Sequence, residues 1–184
     1  MVPLTLQRPH RADARRNYDA LLTAARTAFA TRGADVPLED IAAQAGVGIG
    51  TLYRNFPKRE NLLEAVYLGE VEELVRAAGE VAALEPWPAV EAWLRRFSAY
   101  VVTKMALISE LDKTSDMFCA CRGAMLDAAT PLFERAQAAG EIRADVALDD
   151  VMRMIGGVAG SHYADDGQRE RVFALAVDAL RLRG

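Results

Sequence analysis

Cysteine, histidine and proline are scarce in this chain of 184 residues, which carries two, two and seven of them. Cys119 and Cys121 stand two apart, about 200° around a helix, the wrong geometry for an easy disulfide, so no covalent framework is available. They read as small apolar wall residues rather than a redox switch, because no basic neighbour precedes Arg122 to favour a thiolate. His10 and His162 lie far apart in sequence, with no His-Glu-x-x-His and no Cys-x-x-Cys, so neither a metal site nor a cofactor is expected. No apolar run approaches the roughly 20 residues that span a bilayer, and Met1 to Arg16 lack the apolar stretch of a secretion signal. A cytoplasmic protein without membrane attachment is expected. Internal repeats, low-complexity tracts and the two-residue alternation of half-buried strands are also missing.

What is present is 52% apolar and 26% charged residues, enough apolar surface to offset the ordering entropy of one ordinary domain or two small ones. The formal charge of −4 hides an asymmetry. Through Glu60 nine basic residues face six acidic ones, net +3, while the remainder carries thirteen against twenty, net −7. A basic end on an acidic body directs a polyanion to that end, although a scatter of solvated charges would look the same.

Glycine, proline and charge divide the chain into about nine segments of helical period, so the predicted fold is all-α. Ala14, Tyr18, Leu21, Leu22, Ala25, Ala28 and Phe29 make one apolar face that stops at Gly33. Pro37 opens a short helix to Ala45, and Gly46 interrupts before a second short helix, Val47 to Asn55, halted by Phe56-Pro57. A long helix is expected from Lys58 to Leu84, a break at Pro86 and Pro88, and a helix from Ala89 to Met105. Ala106 to Thr114 reads as a connector, and Ser115 to Ala139 as a helix kinked or divided at Pro131 and closed by Gly140. Two final helices, Leu148 to Tyr163 and Gln168 to Leu182, flank Asp165-Asp166-Gly167.

Leu38-Glu39-Asp40-Ile41-Ala42-Ala43-Gln44-Ala45-Gly46-Val47 has the wiring of a helix-turn-helix. Small Ala42 lets two helices approach, Gly46 permits the tight turn, and Ile41, Val47 and Leu52 supply a shared core. In that geometry the second helix enters the DNA major groove. Ile41-Ala42 through Gly46-Val47, with Gly50-Thr51-Leu52-Tyr53-Arg54-Asn55-Phe56-Pro57-Lys58-Arg59-Glu60-Asn61-Leu62-Leu63, resembles the DNA-binding domain of the TetR (tetracycline repressor) family over about Ala14 to Leu74. The pattern Ala139-Gly140-Glu141-Ile142-Arg143-Ala144-Asp145, with Gln168-Arg169-Glu170-Arg171, resembles one bacterial branch of it.

The resemblance implies a DNA-binding domain over 14–74 and an effector-binding and dimerisation domain over 75–184. It implies that Gly48, Ile49 and Gly50 form the entry turn of the recognition helix, that Thr51 and Tyr53 reach phosphates and neighbouring bases, and that Arg59 grips a phosphate. Leu52 and Phe56 are then structural. Lys58 stands where a small polar cap is common in the family, forgoing about 1 kcal/mol of capping for another phosphate-seeking charge, and Pro37 stands where Ser or Thr is common. Arg11, Arg15, Lys58 and Arg59 would neutralise phosphates. With two glycines at the helix start, base preference leans on Ile49 against thymine methyls, on Tyr53 and Arg54, and on DNA shape.

Trp93, Phe97 and Tyr100 on one central segment, and Met117, Phe118, Cys121 and Met125 on another, suit the adaptable lining of an apolar pocket, and equally an ordinary core. The family resemblance adds that such helices enclose a small effector. Val151, Ile155, Gly156, Val158 and Gly160, with Phe173, Val177 and Leu180, form stripes wider than one intrachain contact would bury, and the expectation is a homodimer closed by a four-helix bundle. Gly46-x-Gly48-x-Gly50 follows a helix, not a strand, and lacks Gly-Lys-Ser/Thr, so it is not read as a nucleotide loop. No nucleophile with a plausible base is visible, and no enzymatic activity is expected. The expected function is a ligand-responsive repressor on a palindromic operator, released by a small apolar or aromatic compound. The alternative is a DNA-binding regulator answering to a protein partner or to no effector.

Overall fold

The computed structural model describes residues 8–107 and 116–182, and among these it is all-helical, with eight helices. The described residues form two compact units. One takes in 8–72 with 103–107 and 116–119; the other takes in 73–102 with 120–182. Among the described residues no helix is long and apolar enough to cross a membrane, and no three His, Cys, Asp or Glu side chains gather to hold a metal.

In the first unit, α1 (Ala12–Arg32) turns Tyr18, Leu21, Ala25, Ala28 and Phe29 inward, at the helical spacing of the sequence. Asp13 in its first turn and Arg32 in its last complement the helix dipole. Then come α2 (Leu38–Gln44) and α3 (Ile49–Asn55), both packed on α1. Pro37 is the N-cap of α2, a position where no intrahelical bond is asked of its nitrogen. α3 stops at Phe56, because the residue before Pro57 avoids the helical region, and the Phe56 ring settles 5.0 Å from that of Tyr18.

At the start of α4 (Arg59–Val81) the missing cap is half restored. The Asn61 side chain accepts the Lys58 backbone N–H at 3.2 Å, the return half of a capping box. Arg8 donates to Asp19 and Glu72, both at 3.1 Å, while Arg26 pairs with Glu70 and Arg32 with Asp40. Partly exposed pairs of this kind contribute about 0–1 kcal/mol each, against about 1.5–3 for each large apolar side chain fully buried. The apolar face of α1 therefore decides how this unit packs, and the ion pairs trim it.

In the second unit the two prolines expected to break the chain open a helix instead. Pro86 and Pro88 sit in the first turn of α5 (Pro86–Leu107), where a missing N–H costs nothing. The N–H of Trp87 between them donates to Glu141 Oε2 at 2.7 Å. The end of α4 is closed by Arg135, which donates to the carbonyls of Ala82 and Leu84 at 2.7 and 2.8 Å. α6 (Asp116–Ala138) carries Pro131 without dividing, so the described residues form eight helices and not nine. Of the expected connector, residues 108–114 lie outside the described residues, as does Ser115.

Gly140, at φ +72°, ends α6. The Gly140 and Glu141 N–H groups donate back to Gln137 and Ala136, the paired bonds of a Schellman turn. α7 (Leu148–Ala159) packs against α8 (Asp166–Asp178) through Val151, Ile155, Phe173 and Val177. Both are shorter than expected. Gly160 is the C-cap of α7, not an interior residue, and Asp165 caps α8 by accepting the Gln168 N–H at 2.7 Å. Beyond α8 the chain leaves the helix because its backbone finds other partners: Arg143 donates to Leu180 and Leu182 to Glu141. The Arg181 guanidinium lies 4.7 Å from the centre of the Trp87 ring.

Candidate nucleic-acid interface

The turn between α2 and α3 is built from four residues. Gly46 takes φ +69°, a conformation that a side chain resists. Its N–H donates to Ala43 at 3.1 Å and the Val47 N–H reaches Ala42 at 3.0 Å, again a Schellman pair. Ile41, Ala42 and Leu52 are fully buried around it, and Val47 is half-buried. The turn thus sets the direction of α3, and the burial of Leu52 sets its rotation.

That rotation leaves Gly48, Ile49, Gly50, Tyr53 and Arg54 on the outside. Ile49 is 37% exposed and Tyr53 46%, four residues apart on one face of α3. Thr51 is half-buried, its hydroxyl accepting from Arg54 at 3.1 Å and its carbonyl from the Asn55 amide at 2.8 Å. Lys58 is exposed just past the end of α3, and no carboxylate pairs with it or with Arg11 among the described residues. Arg15 is exposed and leans on Asp19 at 4.0 Å.

Arg59 departs from expectation. It does not stand free to grip a phosphate: its guanidinium turns inward, donates to the Ala34 carbonyl and lies 6.0 Å from the centre of the Phe29 ring. Nothing in the local sequence signals this, because the acceptor belongs to the α1–α2 loop 25 residues earlier. The basic residues Arg8, Arg26 and Arg32 are likewise held by carboxylates, which leaves Arg11, Arg54 and Lys58 as exposed cations of this unit without one among the described residues.

The residues expected to line an effector pocket divide between the units. In the second, Trp93 stacks on Phe97 at 5.6 Å and Phe97 meets Tyr100 at a tilt at 5.9 Å, all buried, as are Cys121 and Met125. The Trp93 indole N–H is already engaged by the Leu74 carbonyl at 3.2 Å. Nearby, Val90, Trp93, Leu94, Ala129, Leu132, Phe133 and Leu148 enclose a cavity of about 10 Å³. In the first unit Phe118 stacks on Tyr67 at 4.6 Å under Lys104, and Met117 is half-buried. Cys119 is exposed rather than a wall residue, because two steps along a helix carry it to the opposite side from Cys121.

The dimer stripes also need correction. Val151, Ile155, Phe173 and Val177 are buried within the single chain, because α7 and α8 turn these sides toward their own unit, and Leu180, just past α8, is buried too. The outward sides carry Met154, Gly157 and the 70% exposed Leu175, with Gly156, Val158 and Gly160 half-buried. A Cβ added at Gly156 or Gly157 would meet nothing within 4 Å, so no intrachain crossing explains these glycines.

Comparison with known proteins agrees with this architecture. Residues 21–66 match the family described as bacterial regulatory proteins, tetR family, and residues 85–182 match the C-terminal domain described as transcriptional regulator SbtR-like. No curated protein matches by sequence. Among solved structures, the TetR transcriptional regulator SCO0520 of Streptomyces coelicolor is 39% identical over 90% of this chain and 99% of its own, with a TM-score of 0.77. A TetR transcription regulatory protein of Mycobacterium vanbaalenii is 32% identical over 95% and 100%, with a TM-score of 0.74. A tetR-family regulatory protein of Rhodococcus RHA1, 17% identical over 91% and 98% with a TM-score of 0.62, shares the fold. The chain belongs to the TetR family of bacterial transcriptional regulators.

Proposed function

We propose that the protein is a homodimeric repressor that grips a palindromic operator through α3 and lets go when a small apolar or aromatic effector binds. Residues 14–74 serve DNA and residues 75–184 serve effector and partner. The observation that carries the DNA reading is the outer face of α3. Ile49 and Tyr53 are held in water on a two-turn helix whose direction a Schellman turn fixes, with Arg54 and Lys58 beside them. An apolar and aromatic face kept exposed on a rigid mount, flanked by cations, suits a groove lined with methyl groups and phosphates.

The partner face is the outward side of α7 and α8. Two interior glycines of α7 forgo up to about 1 kcal/mol each relative to alanine with no intrachain neighbour to justify them, and Leu175 of α8 stands in water. A twofold mate crossing close over Gly157 accounts for both. The alternative is a regulator that answers to a protein partner or to no effector. The cavity lined by Trp93 and Phe133, at about 10 Å³, is too small to be an effector site itself, against roughly 300 Å³ for a ligand pocket.

The test is a duplex selected from a random-sequence pool by the purified protein. Tyr53→Ala should weaken binding and change the selected sequence, and Lys58→Ala should weaken all duplexes alike and flatten the salt dependence. Failure of the wild type to retain any duplex at physiological salt would sink the DNA reading.

A further inference from the structure

The segment Glu141 to Asp145 takes no part in the helix-turn-helix or in the outward face of α7 and α8, yet its backbone is held from two sides. The Gln137 side chain donates to the Arg143 and Val146 carbonyls, each at 3.1 Å. On the other side the Arg143 N–H donates to Leu180 and the Leu182 N–H to Glu141. Between this loop and the chain leaving α8 lies a cleft of about 510 Å³, lined by Arg143, Asp145, Ala179, Arg181 and Leu182. That volume falls within the range of small-molecule sites, about 300–1,000 Å³.

The charges of the cleft do not cancel. Arg143 is already paired, donating from two nitrogens to the two Asp145 oxygens, both at 2.6 Å. Arg181 is exposed, and among the described residues no carboxylate pairs with it and no acceptor takes its N–H groups. Its guanidinium lies over the Trp87 ring, 4.7 Å from the ring centre. A guanidinium resting on an aromatic ring keeps its N–H edge available, and it has lost part of its rotamer freedom before any ligand arrives.

One uncompensated positive charge thus stands beside the apolar Ala179 and the 58% exposed Leu182. A planar carboxylate fits the fork of an arginine and matches a single charge. A phosphate group, at about −1.5 to −2, would exceed that charge and meet Asp145 as well. We propose that this cleft binds a small organic monocarboxylate, with the carboxylate on the N–H edge of Arg181 and the hydrocarbon part against Ala179 and Leu182. The site shares no residue with the buried aromatic side chains of α5 and does not depend on the DNA reading.

The experiment uses the full-length protein with benzoate and octanoate as probes, benzamide as the uncharged counterpart of benzoate, and inorganic phosphate as the other class of anion. The chain has two tryptophans, so its nitrogen–proton NMR spectrum carries two indole N–H signals, which Trp87→Phe assigns. One of the two acids at millimolar concentration should move the Trp87 signal saturably, because the group above that ring changes partner. The Trp93 signal, its N–H held by the Leu74 carbonyl, should stay in place. Benzamide and phosphate should bind about tenfold more weakly or less. Arg181→Gln should weaken the acid about tenfold or more, the loss expected for a charged hydrogen-bond pair. Arg169→Gln removes the same charge from an exposed residue of α8 outside the cleft and should leave affinity unchanged.

A shift of Trp93 without Trp87 would put the acid in the interior of the unit and overturn the proposal. Equal binding of benzamide or phosphate, full affinity in Arg181→Gln, or no response to either acid would overturn it too. The comparison of probes on the wild type needs no variant, so an Arg181→Gln protein that fails to fold still leaves a decisive result.

Discussion

Arg59 and Ala34 are joined across 25 residues of chain, the guanidinium at the start of α4 donating to a carbonyl of the loop between α1 and α2. This bond closes the three-helix core of the first unit from outside, with the Phe29 ring beneath it.

Its removal should therefore be felt in folding. Arg59→Ala should lower stability by about 1–3 kcal/mol, the range for a charged hydrogen bond to a part-buried acceptor, and lower the unfolding temperature accordingly. Lys58→Ala should leave stability unchanged and reduce the salt slope of DNA binding by about 0.9 for each phosphate that Lys58 neutralises. Calorimetry and binding titrations over roughly 50–200 mM salt separate the two. An Arg59→Ala protein of wild-type stability with a flattened salt slope would return Arg59 to the phosphate.

For the dimer, the informative residue is Leu175, 70% exposed on α8, rather than its buried neighbour Val177. Leu175→Glu should give a folded monomer with sharply reduced affinity for a palindrome, because two half-sites about 34 Å apart then bind independently. Val177→Glu places a charge in the core of the second unit and should unfold it. Sedimentation and circular dichroism report both. A Leu175→Glu dimer at micromolar concentration would place the partner surface elsewhere.

The effector reading requires a variant that spares the core. Phe97→Ala would empty a buried site and destabilise by about 3–5 kcal/mol whatever its role. Met125→Leu conserves volume, so its stability should shift by less than about 1.5 kcal/mol. If Met125 touches an effector, a panel of hydrophobic compounds that releases DNA from the wild type should change in rank order with Met125→Leu. An unchanged ranking would count against Met125 as a contact.

Acid should loosen the second unit. Hydrogen bonds from Arg153, acting against desolvation, and from Arg122 hold the Asp149 carboxyl below its ordinary value near 3.8. Arg96 does the same for Glu80, and Arg143 for Asp145. A carboxyl with a lowered folded-state pKa adds stability that is fully present above the ordinary value and is lost as pH falls through the lowered one. Urea midpoints for wild type and Asp149→Asn should therefore differ at pH 7 and converge between about pH 4 and pH 2. A gap independent of pH would mean that the ion pairs on Asp149 contribute nothing.

The helix-turn-helix is legible from sequence because its determinants are local. Gly46 turns the chain with a bond three positions back, and Val47 with one five positions back, and Phe56-Pro57 ends α3 through a clash between neighbours. The prolines of the second unit are less legible for the converse reason. Pro86 and Pro88 are harmless only because α5 starts at them, and α5 starts there because Glu141, 54 residues on, receives the Trp87 N–H.

The amino-acid sequence by itself determined the all-α class, the two short helices of the DNA-facing motif, and the face of α1 that packs. Each follows from periodicity and turn chemistry acting over a few residues. Only the tertiary structure decided which half of the wide apolar stripe on α7 and α8 turns inward, and where the Arg59 guanidinium points. A stripe states that a helix has something to bury, but the neighbour that buries it is chosen by packing. The carbonyl that takes an arginine is supplied by whatever chain the fold brings beside it.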